Sequence, residues 1–150
     1  MSETNDVRFQ RANFVVTNID RALAFYRDVL GLKLDFIKDS PDDSYSYEVF
    51  EIDKAQKIRF AVLSSATQVR VLALTELPDA KLEDAPFPRR AAIVLEVSDV
   101  DGVVRGAEAA GCRVYPEDKL ITHDGRVGRE VGIVDDDGNL TVIYHIPTAK

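Results

Sequence analysis

Val16-Thr17-Asn18-Ile19-Asp20 is answered, 81 residues later, by Val97-Ser98-Asp99-Val100-Asp101. The correspondence runs outward in both directions. Upstream, Arg8 matches Arg89; downstream, Ile19, Ala22, Leu23 and Tyr26 match Val100, Val103, Val104 and Ala107. Each apolar series then reaches a glycine, Gly31 or Gly111, with the second copy one residue shorter. Glycine just past a helical stripe enters the left-handed conformation without a Cβ penalty and so stops the helix. Thr17 and Asn18 are both N-cap types, and Asp20 sits near the positive end of the helix dipole. The repeated unit is therefore strand, polar turn, amphipathic helix, glycine, strand. Its period is too long for a solenoid repeat. It is a duplicated half-domain.

The first copy predicts a strand over Arg8–Val16, a helix over Ile19–Leu30 and a strand over Lys33–Lys38, after a loose polar arm at residues 1–7. Tyr45–Ile52 reads either as a strand or as a short helix lying over a cavity. Lys57–Leu63 and Gln68–Glu76 complete the first half as strands. Residues 77–89 hold Pro78, Pro86 and Pro88 and form a linker too short to separate independent domains. The second half repeats the scheme with a strand over Arg90–Val97, a helix over Val100–Ala110 and a strand over Arg113–Pro116. Strands over Val127–Val134 and Asn139–Ile146 follow, joined by Asp136-Asp137-Gly138, a tight-hairpin signature. The chain is read as one domain, residues 1–150, of two modules at about 8–76 and 90–146.

Composition narrows the function classes. Nineteen basic against 26 acidic residues, with no Lys or Arg stripe, argue against nucleic acid as the main partner. No segment approaches the roughly 18 consecutive apolar residues of a membrane span, and Met1–Gln10 lacks the apolar core of a signal peptide. The lone Cys112 excludes an internal disulfide and fits a reducing cytoplasm. It reads as a small buried hydrophobe. Gly125, Gly128 and Gly132 are too irregular for a phosphate loop, and no spacing supports a Ser-His-Asp or Cys-His arrangement.

Alternation along the repeated strand locates the place to look for chemistry. Ala12, Phe14 and Val16 share one face, as do Ala91, Ile93, Leu95 and Val97; these apolar faces should carry the helices. Arg11, Asn13 and Val15, with Arg90, Ala92, Val94 and Glu96, form the mixed opposite face. A sheet covered on one side and mixed on the other makes a cleft.

The string Val16-Thr17-Asn18-Ile19-Asp20-Arg21-Ala22-Leu23-Ala24-Phe25-Tyr26-Arg27-Asp28-Val29-Leu30-Gly31-Leu32 resembles the opening module of the vicinal oxygen chelate superfamily. That group contains the glyoxalases, the bleomycin-resistance proteins and the extradiol dioxygenases. Asp135-Asp136-Asp137-Gly138-Asn139-Leu140 resembles the hairpin before that superfamily's last strand, and the likeness covers about residues 8–146. It implies an α+β fold of two βαβββ modules whose curved mixed sheets surround a shared cleft, often within a homodimer. It also implies a divalent metal held by His, Glu or Gln on the first and last strands of each module.

Carried onto this chain, those metal positions fall on Arg11 and Ala92 for the first strands and on Val142 for the last. In the first module's last strand the register is open among Val71, Ala73 and Glu76. A guanidinium, a methyl and an isopropyl group are not metal donors. Hence no cofactor is predicted, with a divalent metal as the alternative and Glu76, His123 and His145 as the fallback ligands. Arg11 would instead offer a fixed positive charge to a carboxylate, phosphate or enolate, or simply pair with an acid. Glu96 is a candidate general base, or else a solvated carboxylate or the partner of Arg90. Asn13 and Tyr144 on the same face can orient a ligand or pack. Tyr45, Tyr47 and Phe50 can form an aromatic lid or belong to a core.

Three readings remain. The first is a metal-free protein that binds a small organic molecule, an anionic one included, in the inter-module cleft, as the likeness to bleomycin-resistance proteins suggests. The second is a lyase, isomerase or dioxygenase with relocated metal ligands. The third is a metal-independent enzyme using Arg11 and Glu96 as catalytic residues. The residues favour the first.

Overall fold

Both predicted helix starts are capped by the residue type the sequence offers. The Asn18 side chain accepts a hydrogen bond from the Arg21 amide at 3.0 Å, and Asp99 does the same for Gly102 at 3.0 Å. Each cap is worth about 1 kcal/mol relative to alanine. The computed structural model describes residues 5–78 and 80–148. Residues 1–4 of the polar arm, Asp79 of the linker and residues 149–150 lie outside the described part.

The elements run β1 (Ala12–Val16), α1 (Ile19–Tyr26), β2 (Lys33–Asp39), α2 (Tyr45–Val49), β3 (Arg59–Ser64), β4 (Leu72–Glu76), β5 (Ile93–Glu96), α3 (Val100–Ala109), β6 (Arg113–Val114), β7 (Asp118–Ile121), β8 (Val127–Val134) and β9 (Leu140–His145). The first sheet has the order β1-β4-β3-β2 and the second β5-β9-β8-β6, with β7 also pairing β8. In each sheet the first and last strands of the module are parallel neighbours, Ala12 opposite Leu72 and Ile93 opposite Thr141. The architecture is α+β, two βαβββ modules as expected, with α2 added to the first and β7 to the second.

Several boundaries differ, each for a structural reason. β1 begins at Ala12 rather than Arg8, and β5 at Ile93 rather than Arg90, where pairing with β4 and β9 begins. α1 ends at Tyr26 rather than Leu30, because the Asp28 and Leu30 amides bond the carbonyls five residues back, Leu23 and Phe25, and widen the last turn. Gly31 and Gly111 hold φ of 85° and 87°, the left-handed stop that the sequence called for. β7 was not anticipated. Pro116, which lacks an amide hydrogen, separates it from β6, and both strands pair with opposite ends of β8. Tyr45–Ile52 resolves into α2, a single helical turn.

The inward stripes of both helices meet in one cluster. Ile19, Leu23 and Tyr26 from α1 and Val100, Val103 and Ala107 from α3 join Leu63, Leu74, Ile133 and Ile143 from the sheets. Gly106 lets α3 approach closely, since a Cβ there would lie 2.8 Å from a Val29 methyl. The turn between β8 and β9 docks on the first module. Asp137 accepts from the Thr17 amide at 3.0 Å and from its hydroxyl at 2.7 Å, while Asn139 Nδ2 donates to the Val15 carbonyl at 3.0 Å. A second small core, Tyr47, Ile52 and Ile58 with Leu77, pins α2.

Candidate functional site

Strand register sorts the candidate residues onto two faces. Val16 is fully buried and sits opposite Glu76, so Glu76 belongs to the helix side. There its carboxylate accepts from the Ile19 amide at 2.6 Å and from Arg59 Nε at 2.6 Å. Burial pushes its pKa up, but the Arg59 and Ile19 hydrogen bonds outweigh this and hold it below the ordinary glutamate range. Val97 and His145 are the matching pair in the second module; His145 Nδ1 lies 2.9 Å from the Val97 carbonyl. His123 is exposed in the turn between β7 and β8. Glu76, His123 and His145 do not converge, and among the described residues no three His, Cys, Asp or Glu side chains form a set able to hold a metal ion.

The cleft face carries the remaining candidates. Asn13 Nδ2 donates to Thr75 Oγ1 at 3.0 Å. Register also resolves the position left open in the first module. Ala73 lies opposite Val62 as Val142 lies opposite Gly132, so Ala73 matches Val142. The positions where the family would place metal donors are thus Arg11, Ala73, Ala92 and Val142, and these residues do not fit a divalent cation.

On the second module, Glu96 pairs with Tyr144, Tyr144 with Glu130, and Glu130 with Asp118. Sequence alternation brought Glu96 and Tyr144 together but missed Glu130 and Asp118, whose register depends on the unanticipated β7. Glu96, Glu130 and Asp118 thus share one row of the sheet, where directly opposed like charges are unfavourable. Of the expected aromatic lid, only Tyr47 turns inward, 5% exposed, with its hydroxyl donating to the Gln56 carbonyl at 2.7 Å. Tyr45 and Phe50 are exposed.

A cleft of about 680 Å3 opens where the two modules meet. The start of β1 and the approach to β4 form one wall, Ala92–Glu96 the other, and Ser65–Gln68 closes one end. Phe9 and Val94 present apolar surface, 69% and 62% exposed. Glu96 alone among the lining residues carries a charge; Arg11, Asn13 and Tyr144 do not line this space. The Ser65–Gln68 wall carried no sequence signal, because only the three-dimensional register brings that turn toward β5.

The Asp135 side chain fastens the modules from beneath. It accepts from the Tyr26 hydroxyl at 2.7 Å, from the amides of Asp137 and Asn139 at 2.9 Å each, and from Asn139 Nδ2 at 3.0 Å. Burial raises its pKa, opposed by these donors. Burial, with the charge and hydrogen bond of Asp135, raises that of Tyr26. Burial and the neighbouring Asp135 and Asp136 push the Cys112 thiol up to about 11.

Two βαβββ-type modules with a cleft at their junction define the chain's fold class. A profile of the Glyoxalase/Bleomycin resistance protein/Dioxygenase superfamily matches residues 8–143, and the chain belongs to that superfamily. Among solved structures, a glyoxalase family protein from Bacillus cereus is similar at a TM-score of 0.74 and 18% identity, covering 99% of each chain. The trypanothione-dependent glyoxalase I of Leishmania major is similar at 0.61 and 21%, covering 93% of this chain and 87% of that one. The fosfomycin resistance protein FosX of Listeria monocytogenes is similar at 0.58 and 13%, covering 94% of each. These likenesses show the fold. No curated protein matches the chain. Among the described residues no helix is long and apolar enough to cross a membrane.

Proposed function

We propose that this chain binds a small organic molecule in the inter-module cleft without using a metal ion. The cleft itself carries the reading. Its volume of about 680 Å3 lies within the range of ligand cavities, about 300–1,000 Å3, and its walls are mostly apolar. The single lining carboxylate, Glu96, favours a ligand whose polar end is neutral or cationic. Arg11, which would favour an anion, lies outside the lining.

A metal-dependent lyase, isomerase or dioxygenase remains the competing reading, and it requires donors other than Arg11, Ala73, Ala92 and Val142. Elemental analysis of protein purified without chelator separates the two. The expected content is well below one metal per chain, with no thermal shift on adding divalent ions. One tightly held metal per chain would overturn the metal-free reading. We also propose a homodimer, in keeping with the superfamily to which the chain belongs. Light scattering on the eluting protein should give twice the 16.7 kDa chain mass; a monomer at all concentrations would refute it.

A further inference from the structure

A second groove, of about 520 Å3, runs between the linker and the β8–β9 turn and shares no lining residue with the inter-module cleft. Its wall holds Arg89, the counterpart of Arg8 in the sequence repeat. Arg89 donates to the Gly138 carbonyl at 3.2 Å and to the Tyr115 hydroxyl at 3.4 Å, and its Cζ stands 5.2 Å from the Phe87 ring centroid. Arg113 approaches the same phenol from another direction, with Cζ 4.6 Å from the Tyr115 ring centroid. Two guanidinium groups are thus gathered on one tyrosine.

Neither guanidinium forms a direct ion pair among the described residues. Arg21, Arg27, Arg59, Arg126 and Arg129 each have a carboxylate within 3.2 Å. Among the described residues Arg89 and Arg113, like Arg8, Arg11, Arg70, Arg90 and Arg105, have none within 4.0 Å. Three of the acids lining the groove are engaged elsewhere. Asp135 faces Tyr26 and Asn139, while Asp136 and Asp137 take Arg21. Glu83 and Asp84 stand on the linker wall. Phe87, 73% exposed, offers a flat apolar surface beside Arg89.

From this arrangement we infer that the groove is a binding site for a small aromatic monocarboxylate, its carboxylate bonded by Arg89 and Arg113 and its ring against Phe87. Guanidinium groups suit a planar carboxylate because their donors match its two oxygens. Glu83 and Asp84 select against polyanions by repulsion. The Arg89 hydrogen bond, together with the charges of Arg113 and Arg89, outweighs desolvation and holds the Tyr115 phenol below its ordinary range. A carboxylate drawing off that positive charge should restore it.

Calorimetric titration of the whole chain with benzoate, benzyl alcohol and inorganic phosphate tests the site. Benzoate should bind at one per chain, at least about tenfold more tightly than benzyl alcohol or phosphate. Arg113→Gln should weaken benzoate by about tenfold with the melting temperature unchanged, and Phe87→Ala should weaken it further in combination. Near-ultraviolet absorbance supplies an independent readout, because the chain has five tyrosines and no tryptophan. Saturating benzoate should move one tyrosine titration to higher pH in the native protein and leave it unmoved in Arg113→Gln. Equal binding of benzoate and benzyl alcohol, equal binding of phosphate, no binding at all, or full affinity in Arg113→Gln would each overturn the assignment.

Discussion

The two modules meet at two related junctions, and only one is closed. At the first, the β8–β9 turn reaches across to β1, where Asp137 and Asn139 satisfy the Thr17 amide and the Val15 carbonyl. At the second, the β3–β4 turn occupies the corresponding place beside β5. Its polar groups turn back on themselves. Ser65 Oγ accepts from the Thr67 and Gln68 amides, and Ser64 Oγ accepts from the Arg70 amide. Gln68 Nε2 donates outward at 3.3 Å, but to the Phe9 carbonyl rather than to β5. The second junction therefore opens into the 680 Å3 cleft. Carboxylate and carboxamide side chains reach a neighbouring strand, whereas the short Ser65 hydroxyl is consumed by its own turn. Duplication supplied two equivalent seams, and turn chemistry left the inter-module cleft open at one of them.

Asp135→Ala should break the closed junction most severely. It removes the acceptor for the fully buried Tyr26 hydroxyl and for three further donors, at a cost of about 3 kcal/mol or more in urea unfolding. Asn139→Ala deletes one amide bridge to Val15 and Asp135 and should cost about 1–2 kcal/mol. Gln68→Ala at the open junction should change stability by less than about 0.5 kcal/mol. Equal costs for Asn139→Ala and Gln68→Ala would erase the distinction between the two seams.

A pH series sharpens the comparison of Glu76 with its counterpart His145. The folded state holds the Glu76 pKa below its ordinary 4.5, so its contribution is present above that value and lost as pH falls through the folded value. Glu76→Gln should lower stability near neutrality and flatten the decline below about pH 4. An unchanged acid-side slope would show that Glu76 is not the group responsible. The mildest change is Ala92→Trp on the open junction. It should leave stability within about 0.5 kcal/mol, because Ala92 is exposed, yet fill the cleft and abolish ligand binding.

Much of this was legible in the sequence because the repeated strings carry both periodicity and caps. Asn18, Asp99, Gly31 and Gly111 mark helix ends by local chemistry, and the structure places them there. Strand alternation set Glu96 beside Tyr144 and put His145 on the other face from Val142. It could not show that β1 begins after Arg11, because strand ends are fixed by where partners begin. β7 escaped notice because Pro116-Glu117-Asp118-Lys119 looks like a charged loop until β8 pairs with it. The cleft's end wall at Ser65–Gln68 is a tertiary fact with no local signature.

Neutral and cationic organic ligands should enter the open junction between Ala92–Glu96 and Ser65–Gln68. Backbone amide NMR of the isotope-labelled native chain during a screen of small neutral and cationic organic fragments tests it most directly. Saturable shifts should concentrate at Ala92–Glu96 and Ser65–Gln68 and diminish for cationic fragments in Glu96→Gln. Shifts centred on Val15–Thr17 and Asp135–Asn139, or no saturable shifts across the screen, would contradict it.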